Sequence, residues 1–186
     1  MMMKSLFSSV LGAVLLLVFL AGCASGPQRG DPAMPIAPFV DLERFMGKWY
    51  VHGFTPTALD REAYNPTETY ALGEDGKILT TYEFNAGGFE GKKKTYRPVA
   101  TVFDRQSQAE WRMRFFGIIN APYLILYVSE DYRYTVIGHP DRDMAWIMSR
   151  SPKIEDARYQ SLLRELKNRD FDLSDFKRGE HRPSTR

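Results

Sequence analysis

Cysteine is almost missing from this chain of 186 residues. Cys23 stands alone, so no disulfide forms within the chain and a small disulfide-stapled scaffold is excluded. Histidine is scarce too. His52, His139 and His181 are far apart, and no Gly-x-Ser-x-Gly elbow occurs, so neither a metal set nor a catalytic triad is offered and no catalytic residue is expected. Charge of one sign is also lacking. The 25 Lys and Arg against 23 Asp and Glu give a net +2, no basis for a nucleic-acid partner or a strongly anionic one. The apolar run from Leu6 to Leu20 is too short for a comfortable membrane span. What the chain does have is 13% aromatic residues and eight methionines, which calls for a core or cavity lined with large, soft side chains.

The N-terminal segment reads as an export signal. Lys4 supplies a positive charge, the apolar run follows, and Leu20-Ala21-Gly22-Cys23 closes it with small residues. That box resembles the bacterial lipoprotein signal, which implies lipid attachment at Cys23. Cleavage before Cys23 leaves 164 residues, enough for one domain. Residues 1–22 are thus assigned to a signal peptide and 23–38, rich in Gly, Pro, Ala and Ser, to a tether. The domain takes residues 39–177, and 178–186 form a polar, mobile tail.

Within the domain the residues alternate in the manner of strands. After the turn Asp41-Leu42-Glu43-Arg44-Phe45-Met46 the spacing predicts strands over 49–54, 67–72, 77–84, 94–103, 110–116, 123–128, 133–138 and 144–149, punctuated by turn residues. The stretch 55–66, with two prolines, reads as a long loop, a lid or disorder. Eight strands without helical interruption point to an all-β antiparallel meander closing into an up-and-down barrel, with an open sandwich as the alternative. The period then changes. Ser151 as N-cap and Pro152 at the first helical position predict an amphipathic helix over 153–168 packed on the outside of the sheet. An edge strand is expected over 171–176.

Parity selects the inward side chains. Trp111, Met113 and Phe115 oppose Glu110, Arg112 and Arg114, while Tyr134 and Val136 are set opposite Arg133. Ile125 and Tyr127, with Tyr123, are expected inside, as are Met144, Trp146 and Met148. Tyr70, Ile78, Thr80, Tyr82, Tyr96, Ala100 and Val102 complete the set, with Gly53 as a further small position. Large walls facing small ones leave a gap. An eight-stranded barrel either fills its interior or holds one small ligand, and a mostly apolar pocket with a few polar handles is the usual ligand site. His52 is expected to point outward as a surface residue. Glu68 is the carboxylate that would serve as an acid if it faced inward.

Three stretches together resemble the lipocalins, and with the lipoprotein box the outer-membrane lipocalins of bacteria. They are Gly47-Lys48-Trp49-Tyr50, the link Gly138-His139-Pro140-Asp141-Arg142-Asp143, and Trp146-Ile147-Met148-Ser149-Arg150. The resemblance implies an eight-stranded barrel open at one end, with Gly47, Trp49, Asp141 and Arg150 structural and Arg150 lying across Trp49 at the closed end. It further implies a binding protein, not an enzyme. No cofactor or metal is expected; the ligand is a fatty acid or lysophospholipid, and the membrane is reached through lipidated Cys23. The expected location is the outer membrane, with the barrel facing the periplasm as monomer or homodimer. A lipid-modifying enzyme and a structural envelope lipoprotein with a filled barrel are the competing functions.

Overall fold

The computed structural model describes residues 34–182. The signal, Cys23 and nearly all of the tether lie outside the described residues. Asp41 opens the domain by accepting the Arg44 amide at 3.1 Å, which caps the single turn α1 (Leu42–Phe45). Gly47, at φ +92°, then releases the chain into β1 (Gly47–Phe54), a backbone angle that any Cβ would strain.

β2 (Ala63–Leu72), β3 (Ile78–Ala86), β4 (Lys92–Tyr96), β5 (Val99–Val102), β6 (Glu110–Phe115), β7 (Ile119–Val128), β8 (Tyr134–Gly138) and β9 (Ala145–Ser149) follow in order. All neighbours pair antiparallel, and β9 returns to β1. β4 and β5 both pair with β3 and behave as one strand interrupted at Arg97-Pro98, where proline withholds a ladder donor. The result is a closed eight-stranded up-and-down barrel, which decides the matter against an open sandwich.

One end is packed shut. Phe45 of α1 meets Trp49, Tyr70 and Trp111 with ring centroids 5.0, 5.6 and 5.4 Å apart. The Trp49 indole donates to Phe45 O at 2.9 Å. Arg150 lies 3.7 Å over the Trp49 ring and donates to the carbonyls of Lys48, Arg44 and Phe45 at 2.9, 2.8 and 3.0 Å. Burial lowers its pKa to about 10, so it stays charged at neutral pH and the cation–π contact is made by a guanidinium. The turns at 73–77, 103–109 and 129–133 close this end; those at 55–62, 87–91, 116–118 and 139–144 surround the other.

The helix α2 (Asp156–Lys167) packs Tyr159, Leu162 and Leu166 on an outer patch of Leu124, Leu126, Val136, Ala145 and Ile147. Among the described residues no helix is long and apolar enough to cross a membrane. The helix begins later than its sequence signal. Ser151 is no N-cap: its hydroxyl accepts the Lys153 amide at 3.2 Å within a turn, and Glu155 holds the cap position of a helix that starts at Asp156. Residues 171–176 form no strand. Instead Lys177–Arg178 (β10) pairs with Gly53 and Phe54 of β1, and the tail continues in fixed hydrogen bonds. Gly179 N donates to His52 O, and Asn65 N donates to Glu180 O, each at 2.9 Å. Residues 178–182 of the tail expected to be mobile therefore fill the seam where β1 has parted from β2.

That tail also overturns the exposure expected of His52. The ring points outward from the barrel but is 3% exposed, covered by His181 at a centroid distance of 5.0 Å. Gly53 faces outward as well, since a Cβ there would lie within 3 Å of Phe176 and the Tyr159 hydroxyl. A bulge between Val51 and Gly53 shifts the alternation that placed it inside.

Candidate functional site

A cavity of about 340 Å³ opens between the loops of the unpacked end, within the size range of small-ligand sites. Met113 and Phe115 of β6, Tyr82 of β3, Tyr96 of β4, Trp146 of β9 and Met144 just before it form much of the wall. These six belong to the sequence-derived ligand set. The aromatic side chains are held in register by one another: Trp111, Tyr123 and Trp146 stack in a column, with centroid distances of 5.5 and 6.3 Å.

Other members of that set lie elsewhere. Tyr70, Ala100, Trp111, Ile125 and Met148 face inward but belong to the packed half, because Phe45 enters from α1 and fills the space beneath them. The lower barrel is thus filled by packed side chains, and the cavity lies in the upper part. Tyr127, Tyr134 and Val136 are outside the barrel, against α2. Two local features invert their parity: a bulge in β7 between Ile125 and Tyr127, and the position of Arg133, which belongs to the turn before β8 and not to the strand. Asp141, assigned a structural role, has its side chain 76% exposed on the loop at the open end. Of the turns at the closed end, Ser129–Arg133 meets Arg150: the Tyr132 carbonyl accepts from Arg150 Nε at 3.3 Å, and the Tyr132 ring lies under the Arg44 guanidinium at 4.1 Å.

Sequence reasoning missed much of the mouth. Thr57, Ala58, Leu59 and Asp60 fold over it, and Pro98, Phe116, Ile119, Ala121, Pro122 and His139 complete the wall. The loop is a pinned flap. Asp60 is buried and accepts the Thr57 amide and hydroxyl at 2.6 and 2.7 Å, and the Tyr82 hydroxyl at 3.0 Å. The Thr-x-x-Asp spacing with threonine before a turn was the available signal. Leu59, Phe116 and Ile119 remain about half exposed or more (49, 64 and 54%) and give the mouth an apolar rim.

Polar groups converge at the cavity floor. Glu68, on the inner face of β2, is 8% exposed. Its Oε2 accepts the Tyr70 hydroxyl, and the Tyr123 hydroxyl at 3.4 Å, while the two phenols are 2.5 Å apart. Burial raises the Glu68 pKa to about 8, opposed by the Tyr123 hydrogen bond and assisted by Asp60, so the carboxyl is mostly neutral at pH 7. Burial raises the Tyr123 phenol as well. Tyr70 and Tyr123 hydrogen-bond the carboxyl and Asp60 acts on it through space, an arrangement that offers polar handles in a mostly apolar wall.

His139, Asp141 and Asp143 bring one donor atom each within 4.8 Å of one another on the open-end loop. The histidine Nδ1 there accepts the Asp141 amide at 3.3 Å, and the two carboxylates are largely exposed. These features suit a solvated turn.

A closed meander barrel with a plugged end, an outer helix and an apolar cup defines a ligand-binding calyx protein. A family model described as a lipocalin-like domain matches residues 40–181, and the chain belongs to that family. It is similar to the outer membrane lipoprotein Blc of Escherichia coli K12, at 28% identity, the match covering 84% of this chain and 87% of that protein. It is also similar to temperature-induced lipocalin-1 of Arabidopsis thaliana, at 27% identity over 76% of this chain and 79% of that protein. Among solved structures, insecticyanin from the tobacco hornworm Manduca sexta superposes with a TM-score of 0.63 at 19% identity, covering 86% of this chain and 89% of that one; this likeness supports the fold.

Proposed function

We propose that the protein is a lipid-anchored binding protein of the bacterial outer membrane that holds a single-chain lipid, a fatty acid or lysophospholipid, for storage or transport in envelope maintenance or stress. The observation that carries this reading is the cavity itself. Its wall is almost wholly apolar, it opens at one end only, and it meets solvent through the rim of Leu59, Phe116 and Ile119. An acyl chain lies along Met113, Phe115, Met144 and Trp146, and its outer end emerges beside the 57–60 flap. The anchor is read from Leu20-Ala21-Gly22-Cys23, together with the outer-membrane lipoprotein relatives. The barrel faces the periplasm.

Trp146 on the wall supplies the test. Delipidated protein titrated with a fatty acid or a lysophospholipid brominated along its chain shows saturable quenching of tryptophan emission, and Trp146→Phe removes most of it. A response that never saturates with any lipid rules the reading out.

A further inference from the structure

The charge pattern of the cavity is one-sided. Its lining holds two carboxylates, Asp60 and Glu68, and one imidazole, His139, but no lysine or arginine. The cations of the neighbouring strands are turned away: Arg114 and Lys92 to Lys94 are exposed, and Arg112 lies against Phe103 on the outer face. At the floor, Glu68 uses Oε2 for both tyrosine hydroxyls. The carboxyl borders the cavity at its buried end, so a ligand that enters fully meets it.

We propose that the cavity selects ligands whose buried end carries a protonated amine, held by the Glu68 carboxylate with Asp60 nearby, the apolar body running outward to the rim. The proposal rests on the ligand-binding reading of the same cavity, keeps its single-chain apolar body and replaces the head group named there with an amine. A carboxylate head entering first finds no lysine or arginine to offset its desolvation. An alkyl tail entering first makes no use of the carboxyl. An ammonium group supplies donors to the carboxylate and, as a charge-assisted partner in a desolvated site, makes the stronger kind of hydrogen bond. Desolvating an ammonium is tolerated only where a counter-ion waits, and Glu68 is that counter-ion. The apolar rim then covers the first methylenes of a chain that leaves the mouth.

Proton balance gives the binding a signature. Glu68 holds its proton in the empty cavity at pH 7 and gives it up when the ammonium arrives, so about one proton per ligand passes to solvent. The titratable groups facing Glu68 are Tyr70 on its own strand, Tyr82 from β3, Tyr123 from β7 and Asp60 from the flap, with His139 further out on the wall. Tyr82 and Tyr123 do not release protons in this range: burial and the nearby carboxylates raise both.

The experiment compares decylamine, decanol and decanoate, each below its micelle concentration, by calorimetry on the full chain in two buffers of different ionisation heat. The amine is expected to bind at least tenfold tighter than decanoate, with proton release, and to lose at least tenfold in Glu68→Gln while decanol changes less than threefold. Equal binding of amine and decanoate overturns the proposal, as does an amine affinity that survives Glu68→Gln. Should Glu68→Gln fail to fold, the comparison on the unaltered protein decides alone. Binding of decanol and decanoate without amine preference removes this inference and leaves the lipid-binding reading standing; absence of binding by all three removes both.

Discussion

Glu68 is where local chemistry departs most from what a barrel wall requires. A glutamic acid with a folded pKa near 8 and an unfolded value in the usual range of about 4.3 keeps a proton in the native state that the unfolded chain has already lost. Between those two values the unfolded state binds fewer protons, so stability falls as pH rises and is retained at lower pH. Each unit of difference is worth up to ~1.4 kcal/mol. Glu68→Gln keeps the shape and a donor for the cavity without the ionisation. It is expected to be more stable than the parent at pH 8 by ~1–3 kcal/mol, with the gap closing near pH 5, in urea denaturation followed at both pH values. A gap that is the same at pH 5 and pH 8 would show that the carboxyl is ionised in the native barrel.

At the scale of elements, the tail is the part that the sequence concealed. Residues 177–182 read as polar because their side chains are mostly exposed, yet their backbone seals the seam between β1 and β2. Hydrophobic pattern carries no sign of such pairing. Gly179 is the point of closest approach: a Cβ there would stand 2.1 Å from Val51 O. Gly179→Val should unseat the tail, lowering stability by ~1–3 kcal/mol through lost hydrogen bonds and exposing His52 and His181. The measurement is amide exchange, with Gly179 and Asn65 losing protection while Trp111 and Ile137 keep theirs; retained protection at Gly179 would refute the seam. The same latch responds to acid. Burial drives the His52 pKa down to about 4, with the positive charges of His181 and Arg178 acting in the same direction, and burial lowers His181 too. Since the unfolded chain protonates these rings near pH 6.5 and the folded one does so later, stability is lost as pH falls through that window.

Over the whole molecule, strand count, closure and the outer helix were legible, because alternation against charged residues such as Arg112 and Arg114 is unambiguous. The site was legible on β3, β4, β6 and β9, where no bulge intervenes, and at Tyr123 of β7 ahead of that strand's bulge. In β1 and β7 a one-residue insertion inverts the alternation, and the loops of the mouth carry no period. Depth was also hidden. Nothing in a strand pattern reports that Phe45 rises from α1 and divides the barrel into a packed base and an open cup. This division makes the two halves separable in function. Gly47-Lys48-Trp49-Tyr50, with Arg150 across it, belongs to the base, and the cavity wall begins beyond the Trp111–Tyr123 stack. Trp49→Ala is therefore expected to destabilise the domain by ~3–5 kcal/mol, as deletions of large buried rings do. The folded fraction should bind lipid with affinity unchanged within a factor of about three, well under the ~1.4 kcal/mol of a tenfold change. Denaturant midpoint and ligand titration on one preparation measure both. Lost affinity at unchanged stability would place Trp49 in the cup and join the two halves into a single site.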